Sequence, residues 1–289
     1  MIEVKKNMVC CVVVTFNPDT ALLDLIKTIE KQVDKIIIVD NNSGRDGLDA
    51  LRKLDNNNNI FIYNEENFGI AKALNQGVGK AQEMEYNWVI TFDQDSKLFS
   101  NLVQILCNVH ALYPNKQDIG AIGINILKEN GSKSYRVSST DAYLEKDYLI
   151  TSGCLLSVEA FALIGGFRED FFIDNVDLEY SLRLRKYGKK LLISSECGMY
   201  HDPGAPKSRT VFGIKFVSSN HNSFRRYYMA RNHILLCRGY LFQNPYFITK
   251  ATFFFVIALV RMVLVDDDRV PKIISSIKGL IDGFLYSKP

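Results

Sequence analysis

Apolar and polar positions divide this chain into short unbroken apolar runs separated by stripes at helical spacing. Residues 8–15, 36–39, 60–63 and 88–92 form such runs. Runs this short, without alternation, predict strands buried on both faces, as parallel strands usually are. Between the first two, Leu22, Leu23, Leu25, Ile26 and Ile29 make one helical stripe. Pro18 ends the first strand and suits a loop that opens a helix. Strand, helix and strand with a short crossover is a right-handed βαβ unit. The pattern continues with a short helix over 48–54, a polar turn over 55–59, and a helix after Gly69. Beyond residue 96 it predicts a helix over 98–112, a strand over 119–127, a turn over 129–132, a strand over 148–157 and a helix over 158–163. Leu178, Leu182 and Leu184 mark a further helix, with Gly188 at its C′ position. Gly153, inside the expected 148–157 strand, predicts close approach of another backbone or a ligand. The alternation is that of an α/β fold.

In open α/β sheets, ligands sit beyond the carboxyl ends of the strands. The run 88–92 leads into Asp93 and Asp95, one residue apart. Clustered carboxylates repel unless a cation or strong donors lie between them, and Mg2+ or Mn2+ with a phosphate-bearing ligand would supply that. A solvated acidic turn is the other reading. Asp40, ending the second strand, offers an acceptor for a base N–H, or an Asx-turn or helix cap. Gly69 permits close backbone approach, and the helix start after it could face an anion. Lys72 and Asn75 stand near that start, within reach of a phosphate or base; a solvated surface lysine is the plainer reading of Lys72. Asp174, Asp177 and Glu179 cluster before a helix, where capping and the dipole favour acids without any function. Beside the aromatic and glycine-rich segment 165–172, one of the three also suits a general base.

Length and charge narrow the classes. At 289 residues the chain is one large α/β domain or a domain with an appendage. A net charge of +3 without a long basic run argues against nucleic acid as the primary ligand. The basic, aromatic stretch 223–233 could suit a single strand, but a sugar-diphosphate or lipid-phosphate ligand needs the same groups. Six cysteines lack C-x-x-C spacing and mostly sit in apolar runs, which predicts buried reduced thiols. The first apolar run is too short to span a bilayer and has no small-residue cleavage site, so a cytoplasmic protein is expected. Residues 245–265 are nearly all apolar, but Lys250 and Arg261 leave less than the ~20 residues a span requires. They predict a helix lying at the bilayer interface, or a buried helix or dimer contact.

Five segments carry a resemblance: Val13-Val14-Thr15-Phe16-Asn17; Ile38-Val39-Asp40-Asn41; Asn67-Phe68-Gly69 through Gly77; Asp93-Gln94-Asp95-Ser96; and Phe172-Ile173-Asp174 with Val176-Asp177-Leu178-Glu179. In this order and spacing they resemble the family-two nucleotide-sugar glycosyltransferases of GT-A fold, and more narrowly the bacterial rhamnosyltransferases of surface-polysaccharide assembly. Tyr227-Tyr228 with Arg231-Asn232 is similar to the same group. The resemblance implies a three-layer α/β/α domain with a mostly parallel, Rossmann-like sheet over residues 1–210. A helical region over 211–289 follows, membrane-interfacial or dimerising. It implies Thr15 and Asn17 lining a nucleotide pocket, Asp40 reading the base, and Lys72 approaching base or phosphate. Asp93 would face ribose and metal, Asp95 would bind Mg2+ or Mn2+ directly, and His201 would reach the metal or the diphosphate. Asp177 falls at the catalytic base position, with Asp174 and Glu179 as alternatives; Val176 stands where many members carry a glutamate. The implied reaction is inverting transfer of a sugar, L-rhamnose from dTDP-L-rhamnose, to a saccharide acceptor carried on a polyprenyl diphosphate, at the inner face of the membrane, in O-antigen or capsule biosynthesis. Two alternatives remain in view. A sugar-1-phosphate nucleotidyltransferase would want a glycine-rich basic loop where Thr15-Phe16-Asn17-Pro18 stands. A non-catalytic nucleotide-sugar-binding assembly subunit would not need every acid intact.

Overall fold

The computed structural model describes residues 8–137, 141–200, 206–211 and 213–287. They form two compact units: Met1–Phe172 with Val176–Asp202, and Ile173–Asn175 with Pro203–Pro289.

In the first unit the chain runs β1 (Val9–Thr15), α1 (Ala21–Glu30), β2 (Lys35–Asp40), α2 (Arg45–Arg52), β3 (Asn59–Tyr63), α3 (Gly69–Glu83) and β4 (Trp88–Asp93). It continues with β5 (Lys97–Leu98), α4 (Leu102–Leu112), β6 (Ile119–Leu127), β7 (Tyr143–Glu145), β8 (Cys154–Ser157), α5 (Val158–Ile164), α6 (Val176–Lys186) and β9 (Lys190–Tyr200). The strands form one sheet in the order β3-β2-β1-β4-β8-β6-β9-β5, with β7 also on β9. The ladders β3–β2, β2–β1, β1–β4 and β6–β9 are parallel, whereas β8 runs antiparallel between β4 and β6.

β1 explains why the fold has layers on both faces. Every one of its residues is buried. Val9, Cys11 and Val13 pack with Leu22, Leu25, Ile26 and Ile29 of α1 and with Leu102 and Leu106 of α4. Val12 points the other way, at α3, where a side chain on Gly77 would collide with it. Alternate residues of one strand thus feed two cores. Burial pushes the Cys10 thiol up to about 12 and the Cys11 thiol well above its usual range, so both remain protonated small apolar groups.

The expected strand over 148–157 is shorter, Cys154–Ser157. Thr91 of β4 binds the preceding segment as a turn: its Oγ1 donates to the Thr151 carbonyl at 2.5 Å, and Gly153 N donates to the Thr91 carbonyl at 2.8 Å. Gly153 takes φ +73°, and what approaches it is the side chains of Ile124 and Met199. The expected helix over 98–112 begins at Leu102, because Lys97 and Leu98 pair with β9 instead. β9 itself was unforeseen, its apolar run being broken by Ser194, Ser195 and Glu196.

The second unit holds an antiparallel hairpin, β10 (Lys207–Val211) and β11 (Ile214–Ser218), followed by α7 (Ser223–Tyr240), α8 (Pro245–Val265) and α9 (Arg269–Leu285). A boundary between residues 210 and 211 would cut this hairpin inside β10; the compact units part earlier, at Asp202 and Pro203. Asn222 caps α7, its Oδ1 accepting from Arg225 N at 2.9 Å. Buried Asp266 accepts from Lys272 Nζ at 2.9 Å and lies 3.6 Å from Arg226 Nη2, tying α7, the α8–α9 turn and α9 together. His233 of α7 stacks on Phe255 of α8 at 4.4 Å, and its Nε2 lies 3.1 Å from Thr252 Oγ1.

Candidate active site

The carboxyl ends of β1, β2 and β4 are laced together by side chains from the segments that follow them. Asp93 ends β4, and the Ser96 amide closes a turn by donating to its carbonyl at 3.2 Å. Between the two acids, Gln94 faces β1. It accepts from Phe16 N at 2.8 Å and donates to the Phe16 carbonyl at 3.2 Å. This reciprocal pair fixes the acidic turn against the loop after β1 and gives the middle residue a reason to be an amide. Sequence reasoning passed it over, since a glutamine between two acids carries no chemistry of its own. Ser152 holds the turn's other side: its hydroxyl accepts from Asp93 N at 3.4 Å and lies 2.8 Å from Ser96 Oγ.

The segment around Ser152 also feels the charge of Asp177. Cys154, two residues on, is fully buried; burial and then the Asp177 charge push its thiol upward. Tyr148 is raised by burial and by the same carboxylate. Tyr135 is pushed up to about 12 by burial, then by Tyr148 and Asp177. Three groups around the 148–154 segment therefore lie in the field of Asp177, and the same segment is hydrogen-bonded to the turn that carries Asp93 and Asp95. Asp177 sits in the first turn of α6, where unpaired amides favour a negative charge, and it accepts from Leu178 N at 2.8 Å.

The two alternative bases are engaged elsewhere. Asp174 takes a bidentate ion pair from Arg225, at 3.2 Å from Nε and 2.6 Å from Nη2, while Asn232 donates to the Ile173 and Asp174 carbonyls at 2.8 Å each. Glu179 is 1% exposed and receives Arg183 in the same bidentate fashion, at 3.0 and 2.7 Å. A carboxylate that closes a guanidinium fork has its oxygens engaged by two parallel N–H donors. Both anchor local structure through these pairs. The basic stretch 223–233 is likewise used in part inside its own unit, through Arg225, Arg226 and Asn232.

The tip of β2 is built as a closed turn. Asp40 is 1% exposed; its carboxylate accepts from Thr15 Oγ1 at 2.9 Å and from the Ser43 amide and hydroxyl. Thr15 is fully buried. The Asx-turn reading of Asp40 is thus realised, and neither side chain presents an open edge. Asn17 is exposed, with φ +50°, accepting from Gly44 N at 2.7 Å. A buried amide relay, Asn41 to Asn64 to Gln76, fixes the β2 and β3 tips to α3.

At the start of α3 the first two amides face the chain itself. Gly69 N donates to Asn67 Oδ1 at 2.9 Å and Ile70 N donates to the Phe172 carbonyl at 2.7 Å, so both amides are taken. Gly69 has φ +81°, and a Cβ there would strike Phe172. Asn75, expected to reach a ligand, clamps the 165–172 segment: it accepts from Phe167 N at 2.7 Å and donates to the Phe167 carbonyl and Glu169. The Lys72 ammonium lies 3.7 Å over the Phe68 ring.

Among the described residues no three His, Cys, Asp or Glu side chains converge, and His201 lies outside the described residues. The turn after β4 nonetheless carries oxygen donors: the Ser96 and Ser152 hydroxyls lie 2.8 Å apart, and Asp93 and Asp95 belong to the same turn. Mg2+ and Mn2+ keep several waters and take substrate phosphate oxygens, so one or two protein carboxylates suffice. The residues present fit such an ion.

The family model for Glycosyl transferase family 2 matches residues 10–168, more than half the chain. The chain belongs to glycosyl transferase family 2. This glycosyltransferase is 31% identical over 245 residues to the dTDP-rhamnosyl transferase RfbF of Shigella flexneri, covering 81% of each. Residues 1–349 of S. aureus TarS superpose on it with a TM-score of 0.53 and 14% identity, covering 95% of this chain and 80% of that one. TarS 1–349 in complex with UDP-GlcNAc gives 0.55 and 15%, covering 96% and 73%. At such identity the likeness speaks to the fold, which is GT-A-like. The matched segment ends before α6 and does not reach Asp177.

Proposed function

We propose that this glycosyltransferase moves L-rhamnose from dTDP-L-rhamnose to a saccharide acceptor with inversion, in the assembly of a cell-surface polysaccharide such as O-antigen or capsule. The single observation that carries the donor is the extended identity to a dTDP-rhamnosyl transferase, 31% across 81% of both chains. Asp177 takes the proton from an acceptor hydroxyl. The oxygen attacks the anomeric carbon from the face opposite the nucleotide, the bond from that carbon to the diphosphate oxygen breaks, and configuration inverts. Asp93 and Asp95 would hold Mg2+ or Mn2+, which when bound neutralises charge on the leaving diphosphate. Asn17 faces the nucleotide from the exposed part of the β1 loop, Asp40 and Thr15 shape that loop from within, and Lys72 approaches base or phosphate beside Gly69. His201 would join the metal or diphosphate.

The acceptor is a saccharide on a polyprenyl diphosphate, so the enzyme works on the cytoplasmic side of the membrane in peripheral contact with it. Full-length protein with Mn2+ and a panel of nucleotide sugars, followed for release of nucleoside diphosphate, tests the reading. Release is expected with dTDP-L-rhamnose above the other donors. A preference for another sugar nucleotide would remove the rhamnosyl assignment, and pyrophosphate release from a nucleoside triphosphate with a sugar 1-phosphate would replace transfer with nucleotidyl chemistry.

A further inference from the structure

α9 is amphipathic in an inverted sense. The face it buries is small or polar: Lys272, Ser276, Gly279 and Gly283. The two glycines let its backbone approach that of α7, near the carbonyls of Tyr227 and Arg231, where any side chain would collide. Arg238 of α7 then fastens the far end, its Nη1 donating to the carbonyls of Gly283 at 2.8 Å and Tyr286 at 2.7 Å. With that face fixed inward, Val270, Ile274, Ile277, Ile281, Phe284 and Leu285 face out, each between 51% and 76% exposed. From Val270 to Phe284 the spacing is four, three, four and three residues, with Leu285 next to the last, so they make a single stripe the length of the helix.

α8 adds a second outward apolar surface. Tyr246, Phe253, Phe254 and Val256 are all at least half exposed, and only Ile248, Met262 and Val265 are buried. By length and composition it would suit a span. Two features argue that it lies along a surface instead. Lys250 and Arg261 bracket only the apolar stretch 251–260, and His233 ties its middle to α7 through Thr252 and Phe255.

Charge selects the occupant. α8 contains no aspartate or glutamate, and the one acid in α9, Asp282, accepts from Tyr227 Oη at 2.8 Å. The cations Lys250, Arg261 and Lys278 are exposed. The exposed acids nearby, Asp267 and Asp268, sit in the α8–α9 turn at one end of both helices, and Asp267 is paired with Lys207. Apolar helix faces whose own exposed charges are cations suit a bilayer with anionic headgroups, where hydrophobic insertion and basic attraction add. The same cations would repel one another across a symmetric contact between two copies. We propose that the outward faces of α8 and α9 are a docking surface for an anionic lipid bilayer, with the α9 stripe inserted among the acyl chains. This deepens the proposed function, resting on it only for the expectation that the acceptor is lipid-linked.

Flotation of the full chain with vesicles tests it. Phosphatidylcholine vesicles containing phosphatidylglycerol should carry the protein upward, and pure phosphatidylcholine vesicles should carry at least 10-fold less. The double variant Ile277→Glu with Ile281→Glu should lose flotation at least 10-fold while releasing nucleoside diphosphate from the donor in solution at the wild-type rate. Phe284→Trp supplies a reading that needs no disruptive change: its emission should shift to the blue when phosphatidylglycerol vesicles are added. Wild-type protein left at the bottom of the gradient, a double variant that floats as well as wild type, or no spectral shift would overturn the proposal. So would a vesicle-free dimer in sedimentation that the double variant abolishes, since the stripe would then belong to a second copy. Flotation does not depend on turnover, so a donor panel without activity would remove the rhamnosyl reading and leave this surface standing.

Discussion

β1 and α8 are both strongly apolar, and the protein uses that character in opposite directions. All of β1 is buried, with alternate residues feeding the cores on either side of the sheet. α8 is three times as long and buries Ile248, Met262 and Val265. In the first unit apolar surface is consumed by neighbours, and what the strands leave outside is the polar tips where the acids gather. In the second unit much of it remains outward, and the interior contains an ion cluster, Arg226, Asp266 and Lys272. Hydrophobicity in a sequence therefore says that a residue avoids water, not which partner will shield it.

The contrast is sharpened most by attacking the acid proposed as the base, in the first turn of α6. Asp177→Asn should lower turnover by about 10²–10⁴-fold with donor affinity retained, as expected for loss of a general base. Equal loss of donor affinity would make Asp177 a structural residue. Next comes the interior of the second unit. Asp266→Ala leaves two buried cations without their counter-charge and should destabilise by about 3–5 kcal/mol in denaturant unfolding. A loss below about 1 kcal/mol would mean that water reaches the cluster. A third effect is pH-dependent. Burial lowers His233 to about 4 from the usual 6.5, and its contacts, Thr252, Cys237 and Phe255, are uncharged. The unfolded chain then binds the extra proton between those values, so the contribution is complete above pH 6.5 and declines as pH falls toward 4, by roughly 3 kcal/mol at most. In His233→Phe that slope should vanish; an unchanged slope would assign it to other groups. Smallest is the response of the α9 stripe: Ile277→Ser should change stability by no more than about 0.5 kcal/mol, as an exposed position does. A loss of several kcal/mol would mean that the stripe is covered by protein.

The parallel half of the sheet was legible because its strands are short, unbroken and β-branched, with Pro18 and Gly69 punctuating the connections. Gly188 at the end of α6, with φ +76°, followed from the same local logic. β9 was hidden because its central residues are polar, and the expected strand over 148–157 starts late, at β8, because a side chain of β4, Thr91, turns the segment before it away from the ladder. At the site, the sequence marks which residues are acids but not which are already paired. Asp174, Asp177 and Glu179 look alike in the string, and the long-range pairing of the first with Arg225 and the one-turn pairing of the last with Arg183 are set by the fold. Asp40 shows the same limit in reverse, its carboxylate being used by Thr15 from another strand. Gln94 was overlooked because its role is geometric.

The most direct test of the account is calorimetric titration of dTDP into the full chain with and without Mn2+, for wild type, Asp95→Ala and Asp177→Asn. Wild type and Asp177→Asn should bind the nucleotide alike and more tightly with Mn2+, while Asp95→Ala should lose the Mn2+-dependent gain. Retention of that gain in Asp95→Ala would contradict the claim that the acids at the tip of β4 hold the leaving group's counter-ion while Asp177 serves the acceptor.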